Sequence, residues 1–253
     1  MQSSIVHKLL SLLTTISEAQ TPLTFSEIVE RTGLNKSTIH RLLSIGVEER
    51  VLRFDGHKKV YLLGPRLFDL VRNADKGYDI QAIALDEMVQ LSQRYDVNVT
   101  LGVPSGAEVA YLRVLEGRHS LGGTARPGMR EPVHCSASGK ALLAFHPAPL
   151  LASIMDGYAF TRFTDRTVTN LAAFETELEY VRKHGFGRND REEYDHFVGI
   201  SAPVFNYLRE PVAVLNLWSV YPTHSIDDLT AWGSDLRAAA DRVTAMIGGV
   251  PVE

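Results

Sequence analysis

Residues 23–63 constrain the fold of this chain more than any other segment, because they place start and stop signals for helices close together. Thr24 and Glu27 have the spacing of a capping box, which predicts that a helix begins here. Gly33 favours the left-handed backbone conformation in which helices often end. The segment therefore predicts a short helix followed directly by a tight turn.

A second helix is expected after this turn, capped by Asn35 and extending over residues 36 to about 49. Apolar and polar residues recur in it at helical spacing, so its two faces differ in chemistry. The apolar face holds Ile39, Leu42, Leu43 and Val47, and the opposite face holds Lys36, Ser37, His40, Arg41 and Ser44. An ordinary surface helix can have the same pattern, so the neighbouring elements decide the interpretation.

A small hairpin after this helix makes the pattern more specific. Asp55-Gly56 is a strong hairpin signal between the strand-like runs 51–54 and 59–63. Another helix is expected over residues 5–18, since Pro22 prevents its continuation. Together these elements predict a winged helix-turn-helix. The alternative is a pair of surface helices inside a larger helical domain.

Composition and charge indicate a globular protein with two unlike parts. Of the 253 residues, 45% are apolar and 22% are charged, as in ordinary globular domains. No run of about 18 apolar residues occurs, so we expect no membrane span and a cytoplasmic location. Residues 1–64 hold eight Lys and Arg against six Asp and Glu, although the whole chain has a net charge of −4. A basic head on an acidic body fits a DNA-binding domain attached to a larger domain.

The remaining sequence predicts an α+β domain with an antiparallel sheet. Strands are expected over residues 97–103, 108–115, 199–205 and 211–220, and helices over 80–95, 138–145, 149–155, 171–184 and 226–247. Strands grouped in hairpins with helices around them favour this class over an alternating parallel fold. We therefore expect a DNA-binding domain at 1–64, a linker helix within 65–78 and a second domain at 79–253.

A helix-turn-helix reads DNA with its second helix in the major groove, while flanking groups hold the phosphates. The residues best placed for base contacts are Ser37, Thr38, His40 and Arg41. The residues better placed for the DNA backbone are Thr24, Ser26, Lys36, Arg53 and Lys58. One such helix reads too few bases to specify a genomic site, so a dimer on double-stranded operator DNA is expected.

The sequence resembles the IclR-type bacterial transcription regulators over nearly its whole length. The first part matches through LTFSEI at 23–28, TGL at 32–34, KSTIHRLL at 36–43 and YLLG at 61–64. The most specific element is HCSASGKALLA at 134–144, and GF at 185–186 and ISAPV at 200–204 complete the resemblance. It implies a winged helix-turn-helix joined to a GAF-like effector-binding domain in a dimer or tetramer. It also implies a ligand-responsive regulator of a catabolic operon.

The resemblance further implies an effector pocket at a strand-to-helix turn, where small residues leave backbone N–H groups open to a carboxylate. The implied pocket residues are Ala137, Ser138, Gly139, Asn189, Gly199, Asn216 and Trp218. Family members that bind small keto acids tend to have Asp, Cys, Ser and Ser at the last four positions. Gly199 enlarges the space relative to Cys, and Trp218 adds an aromatic face, so we expect a larger, ring-bearing carboxylic acid. The alternatives are a keto acid as effector and a purely structural role for Trp218 or for the small residues.

Two residues depart from the family pattern near the end of the second helix. The family usually has a Leu-Glu-like segment and a glycine before the wing, whereas this chain has Gly46 inside the helix and Arg50 at the turn. Glycine within a helix is less favourable than alanine by about 0.5–1 kcal/mol. We therefore expect a weakened last turn.

Other chemistries fit the sequence less well. Ser136 and Lys140 lack the Ser-x-x-Lys spacing of a serine nucleophile with a lysine base. Cys135 is the one cysteine, which excludes an internal disulfide, and the histidines lack metal-ligand spacing. We therefore expect no cofactor, no metal and no enzymatic activity. The remaining alternative is a small-molecule sensor or adaptor that does not bind DNA.

Overall fold

The chain divides into two compact units, Met1–Tyr78 and Asp79–Glu253. A computed structural model describes residues 5–67, 69–70, 79–117 and 125–252. Of the predicted linker helix, residues 68 and 71–78 lie outside the described part of the chain. None of the helices within the described ranges is both long and apolar enough to cross a membrane.

The N-terminal unit is a winged helix-turn-helix, as the sequence predicts. Its elements are α1 (Ile5–Ser17), β1 (Leu23–Thr24), α2 (Phe25–Thr32), α3 (Lys36–Glu48), β2 (Leu52–Asp55) and β3 (Val60–Leu63). The strands form an antiparallel sheet in the order β1-β3-β2, in which the short β1 was not predicted. A single core joins helices and wing through Leu12, Leu23, Ile28, Ile39, Leu42 and Leu52.

The predicted helix caps are confirmed. The Thr24 side chain accepts a hydrogen bond from the Glu27 N–H, and the Glu27 carboxylate accepts from the Thr24 N–H at 2.7 Å. Gly33 has φ +66°, which ends α2 in the left-handed region. The Asn35 side chain accepts from the Thr38 N–H at 2.8 Å and so starts α3. These caps satisfy N–H groups that the first turn of a helix leaves without partners.

The hairpin turn is longer than the Asp55-Gly56 signal suggests. Asp55 is the last residue of β2, and the turn spans residues 56–59. The Asp55 carboxylate accepts hydrogen bonds from the N–H groups of His57 and Lys58, at 3.0 and 3.1 Å. Aspartate favours such local bonds to its own following backbone, and here they hold a four-residue turn.

The end of α3 is better packed than its sequence suggests. The helix continues to Glu48, so the last turn is formed. Gly46 is buried, and a Cβ there would lie 2.7 Å from Leu52 Cδ1. Glycine therefore lets β2 approach the helix closely. The prediction that Val47 faces the core is wrong: its side chain is 37% exposed, and Gly46 occupies the buried position.

Replacing Arg50 by glycine should stabilise the N-terminal unit by about 0.5–1 kcal/mol. Arg50 has φ +59°, a conformation that costs an L-residue about 1–2 kcal/mol and glycine almost nothing, partly offset by the larger entropy of unfolded glycine. Hydrogen exchange of the peptides covering 36–63 measures the change. Arg53→Gly is the control, because this strand residue has ordinary φ and the change should destabilise. Equal effects of both substitutions would contradict the strain at Arg50.

The C-terminal unit is an α+β domain with one antiparallel sheet, which confirms the predicted class. Its strands are β4 (Asn98–Ser105), β5 (Glu108–Leu115), β6 (Arg130–Pro132), β7 (Gly187–Asp190), β8 (Phe197–Phe205) and β9 (Pro211–Val220). The sheet order is β6-β5-β4-β9-β8-β7. The two edge strands, β6 and β7, were not predicted, because each is too short to show an alternating pattern.

Helices cover both faces of this sheet. They are α4 (Ile80–Ile83), α5 (Leu85–Tyr95), α6 (Ala137–Leu143), α7 (Ala148–Met155), α8 (Leu171–His184), α9 (Ile226–Ala231) and α10 (Gly233–Met246). The helices predicted over 80–95 and 226–247 are each broken once, at Ala84 and Trp232. Leu215 and Leu217 pack on the side of α5 and α10, whereas Val214 packs with α6 and α8. Because side chains alternate along a strand, Asn216 and Trp218 lie on the α6 side with Val214.

Candidate functional site

The outer face of α3 is a polar, positively charged surface. Lys36, Ser37, His40 and Arg41 are exposed, and Thr38 is half-buried. No side-chain ion pair involves Lys36 or Arg41 within the described ranges. Their charges therefore remain available to an external partner.

Basic groups continue onto the hairpin. Arg53, His57, Lys58 and Lys59 are all exposed, and Arg53 lies on β2 while the others form the turn. Ser26 is exposed at the start of α2. Thr24 is less available than the sequence suggests, since its hydroxyl donates to the Glu27 carboxylate at 2.7 Å and caps the helix. Its position still lies at the N-terminus of α2, where backbone N–H groups favour anions.

A cavity of about 310 Å³ lies on the α6 side of the C-terminal sheet. This volume is at the small end of the range for ligand pockets. The described residues lining it are Tyr111, Ala125, Met129, Arg130, Glu131, Ala137, Asn189, Glu193, Tyr194, His196, Phe197, Val198, Gly199, Asn216 and Trp218. The structure thus brings together Ala137, Asn189, Gly199, Asn216 and Trp218 of the seven residues that the sequence analysis names.

Cross-strand pairing explains how distant residues meet at this cavity. Asn189 on β7 lies opposite Gly199 on β8, and Gly199 lies opposite Trp218 on β9. Asn189 was expected in a loop, but it belongs to the edge strand. Asn216 is two residues before Trp218 and faces the same side. The absence of a side chain at Gly199 leaves space between its two neighbours.

The strand-to-helix turn contributes less than expected. Ala137 lines the cavity, whereas Ser138 and Gly139 do not. The Gly139 N–H donates to Ser136 Oγ at 3.0 Å, and a Cβ at Gly139 would lie 2.2 Å from Val133 Cα. Gly139 therefore serves the cap and the close packing of the turn. The N–H groups of Ala137 and Ser138, in the first turn of α6, have no intrahelical partners.

The cavity has an acidic side that the sequence analysis missed. Glu131, on the edge strand β6, is 8% exposed, and its Oε2 accepts a hydrogen bond from the Tyr111 hydroxyl at 2.6 Å. Glu193 follows β7 and also lines the cavity. Glu131 lies three residues before the 134–144 motif in sequence, but only the pairing of β6 with β5 places it beside the cavity. No local pattern signals that pairing.

Burial controls the ionisation of these carboxyl groups. It raises the pKa of Glu131, and the hydrogen bond from the Tyr111 hydroxyl only partly opposes this. Burial, together with repulsion by Glu131, raises the pKa of Glu193 to about 7. The same burial and the nearby carboxylates raise the pKa of Tyr111 well above its usual value. Simultaneous ionisation of Glu131 and Glu193 is therefore disfavoured.

Ser136 and Lys140 have structural roles beside the cavity. Ser136 Oγ donates to the Pro132 carbonyl at 2.8 Å and accepts from the Gly139 N–H. Lys140 is fully buried, and its Nζ lies 2.5 Å from Glu192 Oε1 and 3.1 Å from Glu177 Oε2. The two groups therefore do not form a nucleophile–base pair. Burial also raises the pKa of the Cys135 thiol well above its ordinary value, which keeps it unreactive.

Among the described residues, no three His, Cys, Asp or Glu side chains are placed to hold a metal ion.

Comparison with known proteins covers both units. Residues 6–56 match the family model for the IclR helix-turn-helix domain, and residues 73–245 match the bacterial transcriptional regulator IclR C-terminal model. The transcriptional regulator KdgR of Escherichia coli K12 is 28% identical over 97% of this chain and 93% of its own. The regulator XynR of the same organism is 29% identical over 88% of each chain.

Solved structures share the fold. The Agobacterium tumefaciens repressor BlcR superposes with a TM-score of 0.76 over 98% of each chain, at 23% identity. An IclR homologue from Microbacterium hydrocarbonoxydans, crystallised with 4-hydroxybenzoate, has a TM-score of 0.59 and 27% identity over 97% of this chain and 99% of its own. With family models matching both of its units, this chain belongs to the IclR family and is a DNA-binding transcriptional regulator.

Proposed function

We propose that this regulator is a homodimer or tetramer that binds a palindromic operator. Its affinity for this operator changes when a small, ring-bearing carboxylic acid fills the C-terminal cavity. A catabolic operon is the proposed target. The observation that carries the proposal is the cavity itself, because three of its buried polar atoms have no hydrogen-bond partner among the described residues and so favour a ligand. A non-DNA sensor or adaptor fits less well, since α3 exposes Lys36 and Arg41, which have no ion-pair partner among the described residues.

The proposed DNA contacts follow from exposure and charge. Ser37, Thr38, His40 and Arg41 would approach base edges in the major groove, where arginine pairs with guanine through two hydrogen bonds. Lys36 and Ser26 would hold phosphates beside the groove. Arg53 and Lys58 would do so from the wing. Thr24 would act through its helix-capping position, because its hydroxyl is engaged by Glu27.

The shape of the cavity supports a ring-bearing effector over a small keto acid. Gly199 leaves space beside Trp218, and Phe197 packs edge-on against Trp218 with ring centroids 5.2 Å apart. Aromatic side chains that line this space favour packing against a flat ring. The homologue crystallised with 4-hydroxybenzoate shows that an aromatic acid is compatible with this architecture in a relative.

Binding of the effector can change operator affinity only if the DNA-bound and the DNA-free conformation have different affinities for the effector. The experiment is a mobility-shift titration of the full-length protein with DNA from its own promoter region, repeated with benzoates, phenylpropionates and keto acids. Thermal stabilisation by the same compounds reports direct binding. If the protein binds no promoter DNA, the proposed operator binding is refuted. If only pyruvate or glyoxylate stabilises it, the proposed ring-bearing effector is refuted.

Filling the position of Gly199 should separate effector binding from DNA binding. A Cβ there would lie 3.4 Å from Trp218 Cβ and 3.5 Å from Asn216 Oδ1, so valine would project among the residues lining the cavity. We expect Gly199→Val to weaken effector binding at least about fivefold, as overpacking by about 1–3 kcal/mol implies. Operator affinity without effector should stay unchanged. Gly199→Ala is the smaller control, and equal effector affinity in wild type and Gly199→Val would contradict this placement.

A further inference from the structure

The charges around the cavity are unusual for a site that takes a simple carboxylate. Glu131 and Glu193 both line it. Arg130 lines it too, but its guanidinium pairs with Glu108 at 3.1 Å and is more than half exposed. His196 is the other basic residue of the described lining. Among the described lining residues, a carboxylate alone would therefore meet two carboxyl groups and no arginine or lysine without an ion-pair partner.

Three buried polar atoms at the cavity have no hydrogen-bond partner within the described residues: Glu131 Oε1, Asn216 Oδ1 and Trp218 Nε1. Their residues are 8%, 5% and 8% exposed. The Asn216 amide nitrogen already donates to Thr100 Oγ1 at 3.1 Å, so the oxygen is turned toward the Gly199 side. Buried polar groups in native proteins are nearly always paired, so these atoms indicate a ligand's requirements. Glu131 Oε1 and Asn216 Oδ1 each need a hydrogen-bond donor, and Trp218 Nε1 needs an acceptor.

Aromatic rings enclose the same space. Tyr194 packs edge-on against Phe197 with ring centroids 5.4 Å apart, and Phe197 packs against Trp218 in the same way. Rings of this kind bind both flat ligands and cations through their electron-rich faces. Carboxyl groups combined with aromatic faces are the chemistry that recognises an ammonium group.

We propose that the effector carries a protonated amine as well as its ring and carboxylate. The ammonium group would lie between Glu131, Glu193 and Asn216 Oδ1. A carboxylate oxygen would accept from Trp218 Nε1. This inference rests on the proposed function and narrows its ligand class to ring-bearing amino acids in the broad sense.

The affinity for an effector with an ammonium group should change with pH in a definite direction. The pKa of Glu193 is raised to about 7 by burial and by Glu131, and a bound cation would lower it again. Binding should therefore release a proton near neutral pH, and affinity should rise as pH rises. A carboxylate without an amine would take up a proton and show the opposite trend. Within the described part of the chain, the other titratable or charged groups close to these two carboxyls are Tyr111, Arg130, Cys135, Lys140, Glu192, Tyr194 and His196.

The experiment compares matched pairs that differ by one amine: 3-phenylpropionate with phenylalanine, and 4-methylbenzoate with 4-(aminomethyl)benzoate. Binding to the full-length protein is measured by thermal shift and calorimetry between pH 6 and 8. We expect the aminated member of at least one pair to raise the Tm by about 3 °C more than its partner. Its affinity should rise about tenfold from pH 6 to pH 8, as required if Glu193 must be ionised.

Substitutions at Glu193 and Glu131 test whether these carboxyl groups cause the preference for the amine. Glu193→Gln, at a half-buried position, should abolish the pH dependence and the preference for the amine, and Glu131→Gln should reduce the same preference. Glu179→Gln, on the exposed face of α8, is the matched control and should change neither. The inference is overturned if the unaminated acids bind better, if neither pair binds, or if Glu193→Gln keeps the preference. Promoter binding in the same preparations tests the proposed function separately, because it does not depend on which compound binds.

Discussion

Lys140→Met should destabilise the C-terminal unit by about 3–5 kcal/mol, which is the cost of leaving a buried charge without its partner. Lys140 is fully buried, and its Nζ contacts Glu192, Glu177 and the Arg188 carbonyl oxygen at 2.5, 3.1 and 3.0 Å. Methionine fills a similar volume, so the loss would come mainly from the unpaired carboxylates. Urea unfolding followed by tryptophan fluorescence measures it, since both tryptophans, Trp218 and Trp232, lie in this unit.

The pH dependence of that loss has a predictable sign. Burial raises the pKa of Glu192, and Lys140 opposes the rise. Without Lys140 the folded-state pKa would rise further above its unfolded value. Protonation would then relieve the unpaired charge at low pH, and the cost would grow as pH rises. Lys140→Met should therefore be more destabilised at pH 8 than at pH 5.

Two further variants separate the ion pair from a general packing defect. Adding Glu192→Gln to Lys140→Met should recover part of the lost stability, because it removes the stranded charge. Lys183→Met, at an exposed position in the last turn of α8, should change stability by less than about 0.5 kcal/mol. A Lys140→Met protein as stable as the wild type at pH 8 would show that the pair contributes nothing.

The N-terminal unit could be predicted almost completely because its signals are local. The capping box at Thr24, the turn at Gly33 and the cap at Asn35 each depend on residues within four positions of one another. What failed there depended on packing between elements. Gly46 looked like a weak point of a helix, but its lack of a side chain is what admits Leu52.

The cavity could be predicted only in part, since its residues come from separate strands. The family resemblance named Asn189, Gly199, Asn216 and Trp218, and the sheet register places them together. The acidic side was missed because the short β6 carries no periodic signal. Lys140 shows the same limit, because nothing in its sequence neighbourhood indicates that the fold buries it against two distant glutamates.

The double variant Lys36→Ala/Arg41→Ala should lower operator affinity at least about 100-fold. Loss of an arginine that pairs with a base costs about 1–3 kcal/mol, and a dimer loses it in both heads. Both side chains are exposed on α3, so their removal should leave folding intact. Fluorescence anisotropy with labelled operator DNA at several salt concentrations measures the affinity and its salt dependence.

The single variants should differ in kind, because Lys36 is proposed to hold a phosphate and Arg41 a base. Lys36→Ala should weaken binding to all DNA sequences equally. It should also reduce the slope of log affinity against log salt concentration by about one for each DNA-binding domain. Arg41→Ala should instead bring operator and mutated operator closer in affinity. Lys183→Ala removes the same charge from the C-terminal unit and should leave both quantities unchanged. If the double variant binds the operator as tightly as Lys183→Ala does, α3 is not the element that reads DNA.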